Sequence, residues 1–453
     1  MSRFIRASAA FALAPADAAA HAFGARYDLP LPLSLWLAAA GLAVALSFAV
    51  FAFTLRRGAA TDSRLAILPI PSLARGALRA LGAGVLLVLV VAGLFGTQDP
   101  YRNLAPAFVW IAWWIGFTYL SALAGDLWVL VNPWRALFPA NGFGLRRELP
   151  AAIGVWPAAV LLLALAWIEI VWEGNAVPAN IAWLALGYSA LTWAGMLVFG
   201  RDTWLRSAEV FSIYFGFVAR LAPTEFRANS AGVWQWRLRP PAAGLLDARA
   251  LSPSQAFFVL VMLSVVSFDG LRETPLWAVG DAHWSVATTL GLLAAPGVFA
   301  AVILAVCAMM ARLTHGDPRP ASAGELARRF VGSLLPIAIA YHVAHYLSYL
   351  LIAGQVVIPL ASDPLGRGWD LFGAAHYRAR IDLVGARFAW YTSVTVIVLG
   401  HVLAMYVAHR SALERFSDRR TARRSQYPFA VLMVAYTMLS LWILAQPIVE
   451  SGR

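Results

Sequence analysis

Ten apolar stretches, each about twenty residues long, recur along the chain and constrain its fold more than any other feature. A helix of that length crosses the ~30 Å hydrocarbon core of a bilayer. Lipid offers no hydrogen bonds to the backbone, so such segments satisfy their polar groups internally, as helices. Only 13% of the residues are charged, against about a quarter in soluble domains. The sequence therefore predicts an all-α, polytopic transmembrane helix bundle, a single domain over residues 21–453. The predicted spans are 33–55, 76–96, 105–125, 151–172, 180–199, 254–270, 286–311, 330–354, 388–409 and 428–447.

The arginines lie mainly on one side of the predicted membrane. All 35 basic residues are arginine, and 25 of them lie in or beside the connections that follow the odd-numbered spans. Eight lie on the opposite side and two lie in the N-terminal leader. By the positive-inside rule, the arginine-rich connections are cytoplasmic, and both termini face outward, N-out and C-out. Because the net charge of +12 follows this membrane pattern, it does not favour a nucleic-acid partner.

Residues 1–20 have the form of a cleavable signal peptide. Arg3 and Arg6 precede a short apolar core, and three alanines at 18–20 form a small-residue cleavage motif. Cleavage after this motif leaves His21 as the N-terminus on the outer side. The leader and the arginines thus predict one topology, a multi-pass protein of the bacterial inner membrane with periplasmic termini.

Two connections between spans are long enough to carry structure of their own. Residues 204–222 are apolar apart from Arg206, Glu209 and Arg220, so we expect an interfacial helix there, with a re-entrant segment as the alternative. Residues 355–387 are rich in Gly, Pro and Asp, which mark turns. We expect this second connection to form a periplasmic cap over the mouth of the bundle.

The eighth span carries the most informative polar residues. His342, His345, Tyr346 and Tyr349 recur at i, i+3, i+4 and i+7, so they share one stripe of a helix. At 1.5 Å per residue, the histidines lie roughly 18 and 22 Å from the inner end of the span, in the outer half of the membrane. Ionisable groups at that depth usually face a bundle interior or a wet cavity.

Two acids close to the outer ends of other spans can join this stripe. Glu169 lies near the end of span four and Asp269 near the end of span six. Neutral imidazoles and carboxylates together suit Zn or Cu, and a bound metal would supply a hydroxide at neutral pH. We therefore predict His342, His345, Glu169 and Asp269 as catalytic residues, with both histidines as metal ligands. The alternative is structural, with both imidazoles hydrogen-bonded to neighbouring helices.

Two further histidines widen the range of cofactors. A free α-amine and the imidazole of His21 can chelate Cu(II), so His21 is a third candidate metal ligand. An alternative hypothesis is that His401 on span nine and His342 bracket a haem, which requires the two to face each other at one depth.

Common soluble-enzyme motifs do not occur in the sequence. There is no P-loop, no G-x-S-x-G elbow, no H-E-x-x-H and no C-x-x-C motif. The single cysteine, Cys307, lies inside an apolar run and is expected to be a small buried hydrophobe. These observations argue against an ATP-driven pump and against the common serine and zinc peptidases.

Four stretches carry a resemblance to a known family, and they read HAFGARYDLPLPL, GTQDPYRNLAPAFVW, SFDGLRETPLW and SDPLGRGWDLFG. They resemble a bacterial integral-membrane family whose members are commonly labelled fenitrothion hydrolase, an organophosphate triester hydrolase. The resemblance covers most of the chain from 21 to about 375. It implies hydrolysis of aryl phosphorothioate triesters at the membrane and supplies no catalytic residues.

The residues and the resemblance together predict a metal-dependent hydrolase of apolar phosphoric triesters, with a His/acid site facing the periplasm. A metal-ion permease or a haem-bearing membrane redox subunit is the alternative. The expected partners are the lipid bilayer and a small apolar substrate. The sequence allows a second membrane subunit as well.

Overall fold

The computed structural model describes residues 27–56, 66–139, 143–246, 250–277 and 284–446. Within these residues, ten helices are long and apolar enough to cross a membrane, as predicted. The chain is a multi-pass, all-α helical bundle, and the predicted signal peptide at 1–20 lies outside the described residues. Spans one to ten are Leu33–Thr54, Ser72–Phe95, Leu104–Ala124, Ala151–Ile170, Pro178–Phe199, Pro253–Arg272, Trp284–Leu313, Ala323–Ser362, Ala386–Arg415 and Arg419–Ala445.

Several spans are built from more than one helical segment. Span three is α-helical at Leu104–Ala107 and Phe117–Ala124 but π-helical over Phe108–Gly116. Stretches of π-helix are rare and frequently accompany functional sites. Span four divides into Ala151–Ile153 and Trp156–Ile170, and span ten divides into Arg419–Ser425 and Tyr427–Ala445. Span eight has five segments, Ala323–Phe330, Val331–Leu334, Leu335–Ala353, Gly354–Val356 and Val357–Ser362.

The connections on the arginine-rich side hold a small antiparallel sheet. Its strands are β1 (Ala66–Pro69), β2 (Thr224–Ala228) and β3 (Trp234–Leu238), in the order β1-β3-β2. The sheet ties the connection after span one to the connection after span five. Short α-helices and 3₁₀ turns complete the fold at Trp128–Val131, Pro133–Leu137, Glu173–Ala176, Arg201–Ser207, Val210–Val218, Ala219–Leu221, Ala243–Leu245, Pro275–Trp277 and Ile381–Leu383.

The segment 204–222 differs from the expected interfacial helix. It divides at Glu209 into Arg201–Ser207 and Val210–Val218, and seven of the nine residues in the second helix are buried. Phe211 and Phe215 pack against Trp113 of span three with ring centroids 4.5 and 6.0 Å apart. The second helix therefore lies inside the bundle, because its aromatic side chains pack against other protein side chains.

Span six is the most enclosed span. Of its most apolar 18-residue window, 78% is buried, whereas the value for every other span is 50% or less. Ser252 and Gln255 form a capping box at its start, and Pro253 occupies its first turn, so the entry of the helix is fixed. Gly270, near its far end, permits close approach of span eight, because a Cβ there would lie 2.2 Å from the Tyr341 hydroxyl oxygen.

Span eight packs closely on span nine as well. A Cβ at Gly400 would lie 2.4 Å from the Cβ of Ala340 and 3.0 Å from the carbonyl oxygen of Pro336. The two helices therefore touch at this level. Span eight is held between spans six and nine with its polar stripe inside the bundle.

The segment 355–387 is ordered by turns and docks on the end of span two. The Asp363 carboxylate accepts hydrogen bonds from the backbone N–H groups of Arg367 and Gly368, at 2.9 and 2.6 Å. Arg367 in turn donates from Nη2 to the carbonyl oxygen of Phe95 at 3.0 Å, and the Leu365 carbonyl accepts from Thr97 N–H at 2.9 Å. Its function as a cap over the bundle mouth stays a prediction.

Candidate functional site

The Asp269 carboxylate is the centre of a buried polar cluster. Its Oδ2 atom lies 3.0 Å from His345 Nε2 and accepts a hydrogen bond from the Tyr346 hydroxyl. Its Oδ1 atom accepts from Arg272 Nε at 2.9 Å, one helical turn further along span six. The side chains of Asp269 and Arg272 are 5% and 6% exposed, so their ion pair is removed from water. Such a pair is stable only when further hydrogen bonds satisfy its polar atoms, and His345 and Tyr346 provide them.

His345 is oriented by this carboxylate. A carboxylate only accepts hydrogen bonds, so the proton on the imidazole faces Asp269 and resides on Nε2. In the neutral ring, Nδ1 then holds a lone pair and is the atom that can take a proton. The Tyr346 ring packs edge-on against the imidazole, with centroids 4.5 Å apart, and restricts its rotation. The tautomer and orientation of His345 are thus set by its carboxylate partner.

His342 lies one turn before His345 and has a different environment. It is buried, and neither ring nitrogen has a hydrogen-bond partner among the described residues. Its ring contacts the rings of Tyr346 and Tyr119 at centroid distances of 4.8 and 5.5 Å. Tyr346 therefore lies against both imidazoles. A buried imidazole without partners is costly, which makes His342 the least satisfied polar side chain of the stripe.

Glu169 approaches the cluster from span four. Its Oε2 atom accepts a hydrogen bond from Trp114 Nε1 at 3.0 Å, and the carboxylate lies within electrostatic range of Asp269, Arg272 and His345. Trp114 belongs to the π-helical part of span three, so this irregular turn directs its indole to the acid. Glu169 is thus a second carboxylate beside the Asp269 cluster.

The structure brings together most of the predicted site. His345 and Asp269 are in direct contact, Glu169 lies nearby, and His342 shares the Tyr346 ring with His345. His21 lies outside the described residues, so its proposed metal role stays a prediction. Sequence reasoning did not assign roles to Arg272, Tyr346 or Trp114. The first two had a recognisable signal, because Arg272 follows Asp269 by three residues and Tyr346 lies on the stripe. Trp114 had none, since nothing local predicts its contact with span four.

The described side chains do not fit a metal centre. Among them, no group of three or more His, Cys, Asp and Glu residues is arranged to hold a metal ion. Asp269 has both oxygens engaged by His345, Tyr346 and Arg272, and the guanidinium charge opposes a cation beside it. His342 alone offers nitrogens without partners. The arrangement is a buried cluster of hydrogen-bonded ionisable groups.

The contact between spans eight and nine bears on the haem alternative. His401 bonds the Ile397 carbonyl through Nδ1 at 2.9 Å, and its Nε2 atom has no partner among the described residues. However, Gly400 beside it packs directly on Ala340 and Pro336 of span eight. The two helices leave no room at that level for a porphyrin between them.

A second buried carboxylate, Glu209, was not predicted as a special residue. It caps the helix Val210–Val218 by accepting from the backbone N–H groups of Phe211 and Ser212, at 3.1 and 2.8 Å. It is 0% exposed, yet no arginine or histidine bonds it among the described contacts. Its remaining donors are Trp128 Nε1 at 3.2 Å, Asn132 Nδ2 at 3.0 Å, Tyr188 OH at 2.8 Å and Ser212 OH at 2.5 Å.

The fold defines the chain as a multi-pass helical membrane protein. No family model, curated protein or solved structure matches it.

Proposed function

We propose that this chain is an inner-membrane hydrolase of apolar phosphoric triesters, in which His345 acts as a general base and Asp269 orients it. One observation carries the proposal: the Asp269 carboxylate, on the most enclosed span, holds His345 Nε2 at 3.0 Å and so directs the lone pair of Nδ1 outward from the pair. The triester class comes from the resemblance of four stretches to organophosphate hydrolases.

The chemistry follows from the pair. His345 Nδ1 takes a proton from a water molecule, and the resulting hydroxide attacks phosphorus. The P–O bond to the aryl group breaks, and the aryloxide leaves with the electron pair. The imidazolium returns its proton to the aryloxide, which gives a phenol and a phosphoric diester. Asp269 stabilises the imidazolium while it exists, without taking the proton itself.

The surrounding residues support these steps. Arg272 balances the charge of Asp269, so the carboxylate stays ionised in an apolar setting. Tyr346 donates to the same carboxylate and packs on the imidazole. Glu169 lies in electrostatic range of His345 and is bonded by the Trp114 indole, which places a further polar group beside the pair. No step requires a metal, since the described side chains do not fit one.

The location suits an apolar substrate. A neutral aryl triester partitions into the hydrocarbon region, so a site within the helical bundle meets the substrate where it is concentrated. The arginine-rich connections at the other end favour a cytoplasmic position for that end and a periplasmic opening for the His/acid site. The predicted signal peptide agrees with this orientation.

The proposal is tested with purified protein in bilayer nanodiscs and an aryl dialkyl phosphate that releases a coloured phenol. We expect His345→Gln to lower kcat/KM by roughly 10²–10⁴-fold, the range for removal of a general base. His315→Gln is the control, because His315 is exposed and follows span seven, at the arginine-rich end. It should retain activity within about twofold of the wild type, since it removes an imidazole far from the site.

Two results would overturn the proposal. One is full triester hydrolysis by folded His345→Gln protein. The other is the absence of hydrolysis in wild-type protein that shows a Soret band, which would favour the haem-bearing redox subunit instead.

A further inference from the structure

An arginine-lined cleft lies at the end of the bundle opposite Asp269. Ala151, the first residue of span four, lines it, whereas Glu169 lies at the other end of that span. The cleft has a volume of about 890 Å³, and its walls come from residues 138–139, 143, 146–151 and 199–203. It is independent of the proposed hydrolytic site.

Cationic side chains dominate the cleft and its floor. Arg146, Arg147 and Arg201 line it, and Glu148 and Asp202 are the acids among its lining residues. Arg135 is joined to the cleft through Asp202, which it shares with Arg201: the guanidinium nitrogens lie 3.4 and 3.5 Å from the two carboxylate oxygens.

The positive charge is therefore only partly balanced. The Nε atoms of Arg135 and Arg201 are buried without a hydrogen-bond partner among the described residues, and Arg79 is within electrostatic range of both. Burial, with opposing effects from the neighbouring charges, lowers the pKa of Arg135. Arginines that outnumber the neighbouring carboxylates at this distance form a site for a phosphate-like group.

The wall of the cleft is held in a fixed shape. The N–H groups of Leu145 and Arg147 donate to the carbonyl oxygens of Leu197 and Val198 at 2.7 and 2.8 Å, so this wall pairs with the end of span five. Arg146 between them has a φ of 49°, a left-handed conformation that is uncommon for a residue with a Cβ. Strain of this kind persists where the surroundings enforce it, and the two flanking backbone hydrogen bonds hold this segment beside the cleft.

Apolar side chains beside the arginines place the cleft at the boundary of the membrane. Leu137, Phe143 and Leu145 are large, exposed hydrophobic residues beside or within its walls. The apolar part of span five ends at Phe199, which also lines the cleft. A ligand there meets guanidinium groups at one end and a lipid-facing apolar surface at the other.

We propose that this cleft binds the phosphate headgroup of an anionic phospholipid. The arginines pair with the phosphate, and the neighbouring leucines and Phe143 contact the acyl chains. The apolar rim favours a lipid over a soluble phosphate, which would gain nothing from those side chains.

Lipid affinity of the full-length protein in detergent tests the proposal. Phosphatidylglycerol, phosphatidylcholine or inorganic phosphate is titrated, and bound lipid is counted by native mass spectrometry while the melting temperature is followed. We expect Arg135→Gln/Arg201→Gln to weaken phosphatidylglycerol binding about tenfold, as two lost arginine contacts imply. Phosphatidylcholine binding should not change.

The control is Arg420→Gln/Arg424→Gln, which removes two exposed arginines at the start of span ten, on the arginine-rich side. This variant should bind phosphatidylglycerol as the wild type does. If Arg135→Gln/Arg201→Gln does not fold, Arg146→Gln/Arg147→Gln provides the same test at the cleft wall. Equal losses in the cleft and control variants would overturn the proposal, as would stabilisation by inorganic phosphate with none by phosphatidylglycerol.

Discussion

Asp269 and Glu209 are both buried carboxylates, but the groups that bond them differ in kind. Every donor to Glu209 is an amide, an indole or a hydroxyl, and together they engage both of its oxygens. Asp269 also accepts from a tyrosine hydroxyl, but its other two partners are an imidazole and a guanidinium.

This difference indicates different functions. Neutral donors hold a carboxylate in place and cannot exchange protons with it near neutral pH, so the Glu209 centre is structural. An imidazole can gain or lose a proton in the physiological range, so the Asp269 centre is suited to proton transfer. Burial of a carboxylate alone does not separate the two cases; the partners do.

Replacing Glu209 should give the largest change in stability. Glu209→Ala removes the acceptor of six hydrogen bonds, and each buried donor left without a partner costs about 1–3 kcal/mol, although the costs are not additive. We expect a net loss of about 3–5 kcal/mol in denaturant unfolding of the detergent-solubilised protein.

Glu148→Ala is the matched control for that change, because Glu148 is exposed on the same side of the bundle. It should alter the free energy of unfolding by less than about 0.5 kcal/mol. A small loss in Glu209→Ala, or loss of triester hydrolysis per folded molecule, would remove the distinction between the two centres.

The two centres also differ in how far the sequence predicts them. Ten spans follow from ten apolar runs, because crossing a bilayer fixes both the length and the composition of a helix. His345 and Asp269 can be named because ionisable residues in such runs are rare. Their contact joins residues 76 positions apart, so only the packing of spans six and eight creates it.

Glu209 shows why other features escape sequence reasoning. The apolar segment around it suggests a surface helix, yet its donors Trp128, Asn132 and Tyr188 come from 81, 77 and 21 residues away. The antiparallel pairing of β1 with β3 joins segments that are even farther apart in the chain, such as Ile67 with Arg237. Tertiary contacts of this length leave no periodic pattern in the chain.

Asp126 provides a smaller, pH-dependent test of the Glu209 region. Burial, helped by the charge of Glu209, raises the pKa of Asp126 to about 6, and the hydrogen bond from Val129 N–H opposes this. Below pH 4 the residue is neutral in both folded and unfolded states. Between pH 4 and 6 only the unfolded state ionises, so the folded state progressively loses stability, and above pH 6 the penalty is constant.

Asp126→Asn should therefore stabilise the protein by about 1–2 kcal/mol at pH 8 and have little effect at pH 4. Melting curves at both values measure the difference. Asp202→Asn is the control, because Asp202 is about half exposed and takes part in ion pairs with Arg135 and Arg201. A gain in Asp126→Asn that is the same at pH 4 and pH 8 would contradict a penalty from ionisation.

The smallest expected effect tests whether Tyr346 acts through Asp269. Its hydroxyl is a neutral donor, like those around Glu209, but it bonds a carboxylate that also holds the base. Tyr346→Phe keeps the ring against both imidazoles and removes only that hydrogen bond. We expect kcat for triester hydrolysis to fall about threefold to tenfold with KM unchanged, since one hydrogen bond to a charged group is lost.

Tyr349→Phe, one turn further along the stripe, should leave both constants unchanged. If Tyr346→Phe raised KM and spared kcat, the phenol would be a substrate contact, and the Asp269 centre would need only His345 and Arg272 to function.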